Sequence, residues 1–151
     1  MELEIKQLAP YLPYGLKVIS ATREIYSSSN IWELEGLVRG NIYLKELTYP
    51  ADIFNVKPIL RPMSDLTSVY GDEYINEHSI NMLIGRNNGY GDITISQFAK
   101  TLCLEVEVDD SSSVKQIEFD MILTISNQLF KGHYDVFGLI EQGLAIDINT
   151  I

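Results

Sequence analysis

The stretch that decides the fold runs from residue 31 to residue 47 and reads IWELEGLVRGNIYLKEL. Apolar and polar residues alternate through its first half, as a strand that is buried on one face requires. Gly40 and Asn41 separate this run from a second strand pattern, and a Gly-Asn pair in that position is typical of a β-hairpin. The stretch therefore predicts two antiparallel strands with one covered face.

The flanking residues extend this hairpin into a small antiparallel meander. A further strand is predicted to begin at Leu16, and the polar residues 27–30 predict the loop after it. Residues 56–62 are held extended by Pro58 and Pro62, because a proline biases the preceding residue toward β geometry. This last segment is predicted to be an edge strand.

Helical patterns stand at both ends of the chain. Leu3 to Leu12 have near-helical spacing, which predicts a short helix or turn that the prolines at 10 and 13 end. Apolar residues recur every fourth position over residues 114–131 and predict a helix with one apolar stripe. A capping box from Ser113 to Gln116 marks its start, and Gly132 at the C-cap position marks its end.

The patterns in the remaining segments are short, or they fit both a helix and a strand. Ser64 predicts the N-cap of a short helix, whereas residues 72–84 fit either a helix or a strand pair. Ile93 begins a predicted strand, after which Ser96 can cap a helix, although residues 104–109 alternate as a strand does.

The C-terminal part is predicted to end in a helix and a strand. Asp135 is a candidate N-cap for a short apolar helix that ends at Gly143. Residues 144–148 then alternate as a closing strand would.

These patterns together predict an α+β fold, in which an N-terminal antiparallel β meander is followed by a helical C-terminal part with a short closing strand. One organisation is a β-rich subdomain at residues 1–63 and an α+β or helical subdomain at residues 64–151. The alternative is a single domain over residues 1–151.

Composition excludes several classes of protein. The chain has 11 Lys and Arg against 21 Asp and Glu, a net charge of −10, and no cationic run, so nucleic acid and anionic membranes are poor partners. The single cysteine, Cys103, rules out an intrachain disulfide, and its leucine neighbours predict a buried, reduced thiol. No apolar stretch approaches the roughly 20 residues of a membrane span, and the N-terminus lacks a signal-peptide pattern. We therefore expect a cytoplasmic protein.

Metal and cofactor patterns are weak. Residues 85–98 resemble a calcium loop, but Arg86 and Gln97 occupy positions where calcium requires carboxylates, so a plain surface loop is favoured. His78, His133 and Cys103 do not have zinc-ligand spacing, and nothing brings a histidine beside Cys103 as a catalytic partner. The sequence predicts no metal site, no cofactor and no catalytic residue.

The most suggestive polar cluster is His133, Tyr134 and Asp135, which lie together between two predicted helices. They can bind a polar ligand or act as an acid/base pair. The structural alternative, which we favour, is that Asp135 caps the next helix, His133 lies near the negative helix end and Tyr134 packs.

Aromatic residues of the β-rich part give a second candidate binding surface. Trp32, together with Tyr43 and Tyr49, can form an exposed aromatic platform. Aromatic residues on strands more often belong to the core or to cross-strand pairs, and that interpretation is favoured.

Three stretches carry a resemblance to known proteins. They are LAPYLPYGLK at residues 8–17, VKPILRPMSDL at residues 56–66 and HYDVFGLIEQGLAIDIN at residues 133–149. Together they resemble a group of small uncharacterised proteins encoded in phages, prophages and mobile elements of gut Bacteroidales. The resemblance implies a bacterial, phage-derived intracellular protein, and it implies no activity, cofactor or functional residue.

Three hypotheses about function follow. The first is a non-enzymatic accessory protein that binds another, unidentified protein, for which an acidic surface suits a basic partner. The second is a nucleic-acid-associated regulator whose C-terminal helices dock on DNA. The third is a small enzyme that uses His133, Tyr134 and Asp135.

Overall fold

The computed structural model describes residues 2–20, 30–67, 93–98, 101–106 and 119–151. In these ranges the chain has an α+β-like mixed fold, with a five-stranded mixed sheet, a separate two-stranded pair and two short α-helices. The predictions for residues 72–84, for the loop over residues 85–92 and for the capping box at Ser113 lie outside the described residues.

The elements follow one another in a simple order. In chain order they are the helix α1 (Ile5–Leu8), a 3-10 helix (Ala9–Tyr14), β1 (Lys17–Ser20), β2 (Ile31–Val38), β3 (Asn41–Leu44), a 3-10 helix (Ile53–Asn55), β4 (Val56–Leu60), a 3-10 helix (Met63–Thr67), β5 (Ile93–Phe98), β6 (Thr101–Val106), the helix α2 (Phe119–Lys131), β7 (Ile146–Asp147) and a 3-10 helix (Ile148–Thr150). The large sheet has the order β3-β2-β1-β4-β7, in which β7 is parallel to β4 and the other pairs are antiparallel.

The predicted β2–β3 hairpin is confirmed, but its turn lies one residue earlier than the Gly-Asn pair suggested. Val38 pairs with Asn41, so the two loop residues are Arg39 and Gly40, with φ of 50° and 88°. Two positive φ angles are the mark of a type I′ turn, whose twist matches that of the strands. Asn41 is therefore the first residue of β3.

A β-bulge explains how β2 keeps its apolar residues on the core side. The register shifts between Leu34, which pairs with Leu44, and Gly36, which pairs with Tyr43. Beyond this bulge the inward positions change from even to odd numbers, because one extra residue reverses the alternation. Leu34, which lies before the bulge, and Leu37, which lies after it, therefore both pack against the core.

The prediction of an edge strand over residues 56–62 is wrong, since β4 lies between β1 and β7. The proline is accommodated because β7 is very short. It pairs only with Ile59 and Leu60, while Pro58 is paired with β1 alone. Among the described strands, three of the five residues of β4 therefore pair on one side only, where a missing N–H is tolerated.

Strand geometry prevails where the sequence left helix and strand open. The whole of β5 pairs antiparallel with β6, from Ile93 with Val106 to Phe98 with Thr101. Ser96 is thus a strand residue opposite Cys103 and not a helix N-cap. Ser64 is not an N-cap either, because the 3-10 helix already begins at Met63.

The N-terminal segment follows the prediction closely. α1 continues into a 3-10 helix that contains Pro10 and Pro13, and the chain leaves it at Gly15 with φ of 66°. A 3-10 helix tolerates these prolines because it is short and irregular. Leu8 and Tyr11 from this segment are completely buried.

The core lies between one face of the large sheet, the N-terminal segment and the C-terminal turns. Its buried members include Leu8, Tyr11, Leu16, Val18, Leu34, Ile42, Leu44, Val56, Leu60, Leu139 and Ala145. The rings of Phe130 and Phe137 join Tyr11 at centroid distances of 5.0 and 6.4 Å. In the described ranges, no helix has the length and apolar character that crossing a membrane requires.

The C-terminal end of α2 is confirmed at Lys131, and its apolar stripe is buried at Ile125 and Leu129. The left-handed residue that ends it is His133, with φ of 57°. The amide of His133 donates to Phe130 O and that of Tyr134 to Leu129 O, both at 3.0 Å. This pair of bonds is a Schellman motif with a histidine where glycine is usual.

The short helix predicted after Asp135 is replaced by successive turns. One of them ends with Gly143 N donating to Ile140 O and Leu144 N donating to Leu139 O, both at 2.9 Å. Gly143, where the helix was predicted to end, has φ of 70° and follows turns and not a helix.

Gly132 is required by close packing. A Cβ atom at this position would lie 2.8 and 2.9 Å from two ring carbons of buried Tyr134. We expect Gly132→Ala to lower the free energy of unfolding by about 1 to 3 kcal/mol, because the overpacked ring has to move. Gly36→Ala is the control, since its new atom would meet Tyr43 Cβ at an ordinary 3.7 Å. Equal urea unfolding midpoints for the two variants would contradict this account.

Candidate functional site

The predicted polar cluster lies where α2, the end of β4 and the N-terminal segment meet. Arg61, the residue after β4, donates its amide to His133 O and accepts from the Asp135 amide, both at 2.8 Å. These bonds form a parallel bridge between Arg61 and Tyr134. We call residues 133–135 the joint, because they hydrogen-bond to segments that are distant in the sequence.

Tyr134 is a packing residue of the joint. Only 1% of its surface is exposed, and the Arg61 guanidinium lies 5.9 Å from its ring centre. Its carbonyl accepts a hydrogen bond of 2.6 Å from the buried hydroxyl of Tyr11. Burial raises the pKa of Tyr11, so this hydroxyl stays protonated and keeps donating.

Asp135 holds the turn that follows the joint. Its Oδ1 accepts from the Leu139 amide at 2.7 Å and its Oδ2 from the Ile140 amide at 2.8 Å. Burial raises the pKa of Asp135, while the two amide bonds oppose this shift because they favour the carboxylate. Each carboxylate oxygen therefore satisfies backbone donors.

His133 connects the joint to the N-terminal segment. Its Nε2 lies 2.9 Å from the carbonyl oxygen of Tyr14, and its ring is partly buried. Burial lowers the pKa of His133; the carbonyl contact opposes this shift, and the charges of Arg61 and Lys17 lower it further. The arrangement favours a neutral imidazole that donates from Nε2.

These contacts decide what the joint can do chemically. His133 Nε2 and both oxygens of Asp135 bond to backbone groups of the same chain, and the backbone carbonyl of Tyr134 accepts the Tyr11 hydroxyl. An acid/base pair requires a polar atom that reaches a substrate. The contacts of the joint support a structural role better than a catalytic one.

Trp32 lies on the core side of the sheet. It pairs with Val18 across β1 and β2 and packs against the core. Its Nε1 is buried and has no acceptor in the described part of the chain. Tyr43 and Tyr49, the other members of the predicted aromatic platform, are exposed by 38% and 77%.

A different aromatic surface follows β3. Tyr49 is 77% exposed and Phe54 is 69% exposed, in a stretch whose Leu47, Ala51 and Ile53 pack against the core. We call residues 46–55 the aromatic segment. The exposure of Phe54 was not predicted from the sequence; its only local signal is the Asp52 cap that begins its 3-10 turn.

The backbone of the aromatic segment takes part in several hydrogen bonds. Ala51 exchanges two bonds with Ile42 of β3, with N–O distances of 2.7 and 3.3 Å. The Phe54 amide donates to Asp52 Oδ1 at 3.1 Å. Two large aromatic side chains are therefore presented to solvent from a backbone that is already fixed.

The described residues contain no cluster of three or more His, Cys, Asp or Glu that could hold a metal ion. Comparison with known proteins found no matching family model, curated protein or solved structure. Any functional argument therefore rests on the chain's own residues.

Asp135 gives a stability prediction. We expect Asp135→Ala to lower the free energy of unfolding by about 3 kcal/mol, because it removes the acceptor of two amides at a buried position. Asp147→Ala is the matched control, since Asp147 caps an exposed amide, that of Asn149, and its loss costs about 1 kcal/mol or less. Urea unfolding measures both, and equal effects would show that the Asp135 bonds do not matter.

His133 gives a pH prediction. Because its folded-state pKa is below the ordinary value of 6.5, acidification protonates the unfolded chain first. The neutral imidazole of His133 therefore contributes fully to the free energy of unfolding above pH 6.5. This contribution is lost as the pH falls toward the lower pKa that His133 has in the folded state. An NMR titration of the imidazole, assigned by comparison with His133→Asn, checks this. A folded-state pKa at or above 6.5 would refute it.

Proposed function

We propose that this chain is a phage- or prophage-derived accessory protein that acts without catalysis, in the bacterial cytoplasm, by binding another protein through its aromatic segment. The observation that carries the proposal is the exposure of Tyr49 and Phe54 on a fixed backbone. The phage origin is supported by the resemblance of residues 8–17, 56–66 and 133–149 to mobile-element proteins.

Exposed aromatic anchors suit protein recognition for a physical reason. An aromatic ring buries a large apolar area when it enters a partner's pocket, and it has few rotatable bonds to immobilise. The fixed backbone of the segment lowers the ordering cost of association further. Binding energy in protein interfaces is concentrated in such residues.

The other hypotheses receive less support from these contacts. His133 Nε2 and both Asp135 oxygens bond to backbone groups, which leaves the enzymatic hypothesis with less support at these two residues. A net charge of −10 opposes association with nucleic-acid phosphates. Neither objection applies to a protein partner.

Site-specific photocrosslinking in the bacterium that encodes the chain tests the proposal. The photoreactive residue p-benzoylphenylalanine replaces Tyr49 or Phe54 in separate variants, and it replaces Ile151, which is 63% exposed, in the control. We expect one discrete crosslinked protein from positions 49 and 54 and none from position 151. Equal labelling from all three positions, or no crosslink, would count against the proposal.

Affinity measurements with the crosslinked partner, once purified, complete the test. Tyr49→Ala and Phe54→Ala should each weaken binding by about tenfold or more, as expected of anchor residues. Ile151→Ala should leave the affinity unchanged. All three side chains are largely exposed, so the unfolding midpoints should stay the same and exclude a folding defect.

A further inference from the structure

We propose that the outer edge of β5 pairs antiparallel with β5 of a second copy of this chain. The two β5–β6 pairs then form one sheet of four strands, in the order β6-β5-β5-β6, around a two-fold axis. This inference goes beyond the proposed function, because it concerns a different part of the chain from the aromatic segment.

The β5–β6 pair is a sheet of its own with two outer edges. The two strands, of six residues each, pair from Ile93 with Val106 to Phe98 with Thr101. Among the strands that the structure describes, no third one joins them. Neighbouring residues of a strand direct their N–H and C=O groups to opposite sides, so half of the residues in each strand direct these groups away from the partner strand. Each edge therefore has the length and the backbone groups to receive another strand.

The register of the pair separates an apolar face from a polar one. By alternation, five apolar residues lie on the same face: Ile93, Ile95, Leu102, Leu104 and Val106. A pair of strands alone is at best marginally stable in water, whereas three or more strands with a hydrophobic face can be stable. A second β5–β6 pair at the edge supplies these additional strands and extends the apolar face.

The edges of the large sheet show how this chain prevents strand addition elsewhere. At the β3 edge, Ala51 occupies the backbone groups of Ile42. At the other edge, β7 has only two residues, and Pro58 lies in the part of β4 that β7 does not pair with. Covering segments, short strands, prolines and charged residues are the usual protections of an edge. β5 reads ITISQF, without a proline or a charged residue, so its sequence provides none of the last two protections and favours pairing.

Charge favours β5 over β6 as the edge that pairs, and a second copy as its partner. A net charge of −10 opposes self-association in general, so two copies approach with least repulsion at an uncharged segment. β5 is uncharged, whereas β6 contains Glu105. Identical antiparallel edges are self-complementary, and a two-fold axis closes them into a dimer that cannot grow further.

The two-fold axis restricts the register of the proposed pairing. The apolar residues of both copies lie on one face only if the register does not slip by one residue, because such a slip moves every residue of a strand to the other face. In an antiparallel pair of identical strands, this condition places one residue on the axis, opposite its own copy. For strands of this length, the axial residue is one of the central three, Thr94, Ile95 or Ser96.

Single-cysteine variants of the full chain test this register. Cysteine replaces Thr94, Ile95 or Ser96 in separate variants, each with Cys103→Ser so that no other thiol is present. We expect the yield of disulfide-linked dimer to peak at one of the three positions, since opposite Cα atoms in antiparallel strands lie about 4.5 to 5.5 Å apart, within disulfide reach. Thr101→Cys in the same background is the control, because the two copies of β6 are separated by two strands and should give no link.

Charged variants test the edge in the equilibrium between monomer and dimer. Ser96→Lys adds a cation to β5, and Thr101→Lys adds one to the same face of β6. Sedimentation equilibrium should show a dimer of the unmodified chain. Ser96→Lys should raise its dissociation constant by about tenfold or more, because like charges meet near the axis, and Thr101→Lys should change it by less than about twofold. Mixing Ser96→Lys with Ser96→Glu should restore the dimer, which excludes a misfolded strand as the cause of the loss.

Three results would overturn the inference. The first is a chain that stays monomeric at every concentration, and the second is a polymer in place of a dimer. The third is a dimer that Ser96→Lys weakens no more than Thr101→Lys does, which places the interface elsewhere. Crosslinking from Tyr49 and Phe54 reports on a different surface, so these results leave the proposed function standing, and a failure of that crosslinking leaves the β5 dimer standing.

Discussion

The described structure depends on the two backbone hydrogen bonds that Arg61 makes with the residues on either side of Tyr134. Through them the end of β4 is fixed to the end of α2, although more than seventy residues separate the two in sequence. The Tyr11 hydroxyl adds the N-terminal segment to the same point, and Asp135 adds the C-terminal turns. All four bonds involve buried or partly buried groups, so each protects a polar atom that water cannot reach.

This arrangement explains why the most polar cluster of the chain is not its best functional candidate. A histidine, a tyrosine and an aspartate together suggest acid/base chemistry. In this fold His133 Nε2 lies against a backbone carbonyl, both Asp135 oxygens accept backbone amides, and burial lowers the pKa of His133 and raises that of Asp135. Both shifts favour the neutral form of the group, as burial without a charged ligand does.

The features that could be predicted from the sequence are those set by interactions between residues that are close together in the chain. The β2–β3 hairpin follows from the alternation before its bulge and from a glycine in the turn, and the end of α2 follows from its apolar stripe and Lys131. The features that could not be predicted depend on tertiary contacts. His133 adopts the left-handed conformation that glycine usually takes, and its neighbour Gly132 leaves room for the Tyr134 ring.

The same limit applies to strand order and to the candidate binding surface. Periodicity predicted a closing strand near residue 146 but carries no information about its partner, and the parallel pairing with β4 places Pro58 in an internal strand. Tyr49 was a candidate for exposure, whereas Phe54 was not, because an aromatic residue in a short irregular stretch has no period that separates inside from outside.

The hydrogen bonds along the outer edge of β3 determine which groups of that edge remain for contact with another protein. An exposed edge strand invites pairing with another chain through its free backbone groups. Here the outward-facing amide and carbonyl of Ile42 are occupied by Ala51, and the Leu44 carbonyl by the Leu47 amide. Strand addition at this edge would have to displace those bonds. The segment that blocks the edge also carries Tyr49 and Phe54 outward, so the proposed binding at this side of the sheet depends on side chains, whose shape and charge can distinguish one partner from another.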